Sequence, residues 1–87
     1  MLHSKIESIL GDVVRGNEKL EPLGRHFHSI GYTVDTMANK PDADIEDILR
    51  EAKKLTWRAF EGNHTWIESK WRDIEKDIRE ELRELTK

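Results

Sequence analysis

Hydrophobic positions recur along this chain at helical spacing, and the pattern is clearest at its C-terminal end. Ile67, Trp71, Ile74, Ile78, Leu82 and Leu85 advance in steps of four, three, four, four and three. Those steps keep all six on one stripe of a 3.6-residue helix, and nearly every residue between them is charged. Thr65 and Glu68 precede the run with the Thr-x-x-Glu spacing of a capping box, in which each side chain satisfies a backbone N–H at the helix start. The pattern predicts a helix over residues 66–86. A narrow apolar seam on a charged rod needs cover, from the rest of the chain or from a second copy.

The same period recurs upstream. Ile6, Ile9, Leu10, Val13 and Val14 share one face of a helix predicted over residues 4–15, with Ser4 as its cap. Gly11 weakens it slightly, and Gly16-Asn17 is a natural stop. A second helix, over residues 21–30, is expected to begin near Pro22, which has no N–H to lose in a first turn. Leu20, Leu23, Phe27 and Ile30 continue its apolar face, and Gly31 is read as its end.

Residues 32–43 leave two readings open. Thr33 or Asp35 caps a short turn over 34–39, or Tyr32-Thr33-Val34 is extended. Asn39 and Lys40-Pro41 then form a loop, because a proline disfavours helical geometry in the residue before it. Asp42 or Asp44 caps a third helix over residues 43–61, with Ile45, Ile48, Leu49, Ala52, Leu55, Ala59 and Phe60 on its core face. Gly62-Asn63 breaks the chain before the last helix. At 1.5 Å per residue the last two helices are roughly 27 and 32 Å long, and their connection of about four residues favours an antiparallel pairing. The expected fold is therefore all-α: a three- or four-helix bundle built on a long antiparallel C-terminal helical hairpin, in one domain.

Composition narrows the chemistry. The chain has 87 residues and no cysteine, so disulfides, thiolate metal sites and cysteine nucleophiles are excluded together. Hydrophobic residues make up 36% and charged residues 38%, the profile of a helix-rich protein with wet outer faces. A net charge of −3 argues against non-specific nucleic-acid binding but leaves room for a local basic patch. No stretch approaches the roughly 18 apolar residues of a membrane span, and the first ten residues lack a secretory apolar run. No membrane association is expected, and cytoplasmic residence is. Asn63-His64-Thr65 matches a glycosylation sequon, but the same letters serve as a helix start.

One constellation stands apart from the core pattern. Trp57 sits about 140° from the centre of the third helix's apolar face. Around it lie Arg50, Lys53, Lys54 and Arg58, three of which are spaced by four and form a basic ridge. An indole among cations suits a protein partner's acidic patch or, alternatively, nucleic-acid phosphate and base. The competing reading packs Trp57 beneath a neighbouring helix and pairs the cations with Glu46, Glu51 and Glu61. Trp66, off the main stripe, either staples the last helix or joins an aromatic patch with Trp57, stapling being favoured. Trp71 belongs to the core.

Other candidates yield less. His26 and His28, two apart, point to opposite sides of a helix and cannot share one metal ion. The acidic run from Asp35 through Asp47 lacks the calcium-loop pattern, having no central glycine or terminal glutamate in place. Carboxylates spread evenly along the last helix are not acid–base machinery, which needs desolvation and mutual perturbation. Residues 23–49 loosely follow helix-turn-helix punctuation, but Asp42, Asp44, Glu46 and Asp47 front the would-be recognition helix and repel phosphate. No phosphate-cradling loop, nucleophile elbow or zinc-helix motif occurs. The sequence thus points to a small non-catalytic interaction or regulatory protein without cofactor or metal, acting through homodimerisation and partner binding. A nucleic-acid-binding regulator using the basic Trp57 face is the alternative.

Overall fold

A computed structural model describes residues 2–85. Among them the chain is all-helical: α1 (Leu2–Val14), a 3-10 turn (Glu21–Leu23), α2 (Gly24–Ala38), α3 (Ile45–Ala59) and α4 (His64–Leu85), with no strand. α1 packs on α2 and α4, and α3 packs on the same two helices.

The apolar spacing accounts for the core. Ile6, Leu10 and Val14 of α1, Phe27, Ile30 and Val34 of α2, Ile48, Leu49 and Ala52 of α3, and Ile67, Trp71, Ile74, Ile78 and Leu82 of α4 belong to one buried cluster. Phe60 is fully buried and lies between two other rings, Phe27 at 5.8 Å and Trp66 at 5.7 Å between centroids. Thr56, the buried polar residue, donates its hydroxyl to the Ala52 carbonyl at 2.7 Å, so its burial leaves no orphaned group.

The expected end of α2 at Gly31 is a correction. The helix continues to Ala38, and neither the short turn nor the extended reading of residues 32–39 holds. Gly31 is there because α1 crosses close by. A Cβ at this position would sit 2.6 Å from the His3 carbonyl oxygen, nearer than atoms of that kind approach, so only glycine fits the crossing. Phe27, Ile30 and Val34 carry the apolar face straight through it.

Helix ends also shift. α1 is already helical at Leu2, with Ser4 inside its first turn. The cap comes from another helix: Asp35 Oδ2 accepts the His3 N–H at 3.3 Å. Of the two caps proposed for α3, Asp44 serves, accepting from the Glu46 N–H at 3.1 Å. The helix ends at Ala59, two residues early, because Phe60 turns inward to fill the core. α4 starts at His64, with the Ile67 N–H bonded to the Asn63 carbonyl. Thr65 therefore lies within the first turn and is not its cap. The predicted end at residue 86 lies outside the described residues. Gly16 and Gly62 take φ of +83° and +87°, the left-handed geometry that lets α1 and α3 stop sharply.

Leu85 breaks the predicted stripe, being 55% exposed while Ile67, Trp71, Ile74, Ile78 and Leu82 are buried. α4 has 22 residues against 13 in α1 and 15 in α3, so its last turn outruns its neighbours. The seam that called for a second copy is otherwise covered within one chain.

Candidate interaction surface

α3 presents its cations along its outer side because its inner positions are taken by Ile48, Leu49, Ala52 and Thr56. Arg50, Lys53, Lys54 and Arg58 are all exposed. Arg50 pairs with Asp47 on its own helix, Nη1 to Oδ1, at 2.7 Å. Lys53, Lys54 and Arg58 form no ion pair among the described residues. The expected partners are otherwise occupied or apart: Glu46 is bonded to Arg79 of α4, and Glu51 and Glu61 pair with none of the four.

Trp57 is half-buried, and its surroundings combine both readings of its position. Its ring meets Trp71 of α4 edge to face at 5.6 Å, while Lys53 Nζ stands 5.1 Å from the ring centroid on the open side. A position 140° from the core face is outside a lone helix, but it becomes the wall of a seam once α4 lies alongside. The Trp71 indole N–H donates to Glu75 at 2.9 Å. The Trp57 indole N–H has no acceptor among the described residues. An unpaired indole donor beside a cation lying over its ring can recognise a carboxylate and stack on an apolar side chain.

Trp66 takes other company. It is half-buried, stacks on Phe60 at 5.7 Å and carries Lys70 Nζ at 6.0 Å. That is the stapling arrangement, and the two tryptophans do not share a patch: one ring is seated on Trp71, the other on Phe60. The basic ridge also divides. Arg50 and Lys53 border the α3–α4 crevice beside Glu75, whereas Arg58 borders a groove against α2.

Between α3 and α4 runs a polar chain along the surface. Arg79 donates to both Glu46 and Glu75, the latter at 3.1 Å. The bond from Arg79 holds the Glu46 carboxyl below its ordinary range, and the bond to Glu46 raises Arg79. Glu68 and Arg72, also four residues apart on α4, form no ion pair among the described residues.

A second polar cluster was not foreseen. His3 Nδ1 lies 3.1 Å from Asp35 Oδ2 and its ring stacks on Tyr32 at 4.2 Å. His28 also packs on Tyr32, edge to face at 4.7 Å, and its Nδ1 lies 3.2 Å from Glu7 Oε2. The His3 hydrogen bond, outweighing burial, lowers the Asp35 carboxyl below its ordinary range. His3 and Asp35 are 32 residues apart, so no local spacing could reveal the pair. His26 is exposed and His28 faces Glu7. Among the described residues no three His, Asp or Glu side chains converge to hold a metal, and no helix is long and apolar enough to cross a membrane.

No family model matches the chain, and no curated protein or solved structure is significantly similar to it.

Proposed function

We propose that this is a cytoplasmic, non-catalytic interaction or regulatory protein: a four-helix bundle on an antiparallel α3–α4 hairpin that binds an acidic segment of a protein partner and acts as a homodimer. The opposed order of the α3–α4 contacts, Phe60 with Trp66, Trp57 with Trp71 and Glu46 with Arg79, supports the hairpin. One observation carries the binding surface. Trp57 keeps an unpaired indole donor next to Lys53, which hovers over its ring without a carboxylate. Half-buried tryptophans bordered by cations are the residue types that dominate binding energy at protein interfaces. In this reading Lys53 and Trp57 take the partner's carboxylate and an adjacent apolar side chain. Arg50, Lys54 and Arg58 supply the positive field that draws an acidic segment in.

Titration of the isotopically labelled protein with a glutamate-rich peptide carrying one Leu tests this. Chemical shifts should move at the Trp57 indole N–H and at Lys53, and affinity should fall at least about tenfold in Lys53→Glu and Trp57→Ala. Lys53 is exposed, so its reversal leaves the core intact. Shifts confined to other surfaces, or none at all, count against the proposal. Binding of a single-stranded oligonucleotide at this face instead, with a steep salt dependence, replaces it with the nucleic-acid reading.

A further inference from the structure

The outer flank of α3 on its α2 side carries a stripe whose charge changes sign halfway. Asp47, Glu51, Lys54 and Arg58 follow at spacings of four, three and four. At 100° per residue they stay within about 60° of one another around the helix. Asp47, Lys54 and Arg58 are exposed and Glu51 is half-buried. Asp47 is paired only with Arg50 of its own helix, and the other three make no ion pair among the described residues.

The polarity continues where α2 and α3 part. At the Arg58 end they open into a groove of about 430 Å³, floored by Ile30, Leu55 and Ala59, with His26 and Arg58 on its rim and Glu61 the one anion. At the Asp47 end lies a crevice of about 190 Å³, where Asp42, Asp44 and Asp47 surround Met37 and Ile48, with Lys40 the one cation. One face of the molecule thus presents Lys54 and Arg58 at one end and a cluster of aspartates at the other.

We propose that a second copy of this chain docks on that face about a two-fold axis, with α3 running antiparallel to its counterpart. A stripe of two anions followed by two cations complements itself only when reversed. Asp47 then meets Arg58 of the second copy, Glu51 meets Lys54, and the symmetry makes each contact twice. A parallel arrangement sets like charges against each other and is disfavoured. The groove beside Lys54 and Arg58 of each copy comes over the acidic crevice of the other. Leu55 and Met37 bring apolar contact, which exposed ion pairs by themselves do not replace. This inference deepens the homodimer in the proposed function: Lys54 and Arg58 are taken up by the second copy, while Lys53, Trp57 and Arg50 stay on the α4 flank of α3 for the acidic partner.

Sedimentation equilibrium of the full chain, from micromolar to sub-millimolar, tests it in about 0.01 M and about 1 M salt, where the screening length is about 30 and 3 Å. A monomer–dimer equilibrium is expected that weakens in high salt. Glu51→Lys and Lys54→Glu should each raise the dissociation constant at least about tenfold, since each creates two facing like-charge pairs. The double variant, with both charges exchanged, should dimerise close to the parent affinity, because the pairs are re-formed with reversed polarity. Circular dichroism should be unchanged in all three. A compact monomer throughout, a dimer indifferent to these variants, or a double variant as weak as the singles overturns the inference. A monomer that still binds the acidic peptide removes only the dimer, while a dimer blind to the peptide removes only the partner surface.

Discussion

Gly31→Ala sets two effects of known size against each other at the α1–α2 crossing. In an open helix interior, glycine to alanine stabilises by about 1 kcal/mol through backbone entropy and propensity. At Gly31 the added Cβ would come within 2.6 Å of the His3 carbonyl oxygen and 3.3 Å of its carbon. The obstacle is main chain, so no side chain can swing aside and α1 as a whole must move. Overpacking of this kind costs about 1–3 kcal/mol. Displacing α1 also loosens the His3 N–H and Nδ1 contacts to Asp35, now at 3.3 and 3.1 Å. The net expectation is a loss of up to about 2 kcal/mol, with Tm falling by about 4–8 °C per kcal/mol in a domain of this size. Gly11→Ala is the control. It lies in α1 with nothing within 4 Å of the added carbon, so it should gain up to about 1 kcal/mol. Urea unfolding of the two variants reads the difference directly as opposite shifts in midpoint. If both variants are stabilised alike, α1 does not approach α2 as closely as argued, and the continuity of α2 through Gly31 loses its physical reason.

Phe60→Ala removes a fully buried ring that touches Phe27 on one side and Trp66 on the other. It should cost about 3–5 kcal/mol, a large share of a small domain's stability, and lower the urea midpoint far more than Gly31→Ala. The Asp35 pair makes stability depend on pH with a definite sign. Its carboxyl is held below its ordinary value of 3.8, chiefly by the His3 hydrogen bond, so its contribution is complete above that value and is lost as pH falls through the folded-state value. The difference in urea midpoint between the parent and Asp35→Asn should therefore be widest above the carboxylate range and shrink on acidification; a gap independent of pH contradicts the pairing.

The repeat of apolar residues by itself determined that this chain is helical, most of the residues that lie inside, and roughly where three of its four helices run. Ile67, Trp71, Ile74, Ile78 and Leu82 show why: helix periodicity is a property of neighbours three and four apart, written directly into the order of residues. Gly31 shows the limit. A glycine that ends a helix and one that admits a crossing helix look identical in sequence, and only the position of His3 distinguishes them. The candidate surface divides in the same way. Local spacing was enough to find the cations of α3 and to place Trp57 off the apolar face of its own helix. Tertiary packing decided that Trp57 leans on Trp71, that Trp66 leans on Phe60, and that Arg58 borders a groove with Ile30. The His3–Tyr32–His28 cluster was beyond reach for the same reason. Contacts between helices join residues far apart in the chain, and their energies depend on how two faces meet, which no single helix encodes.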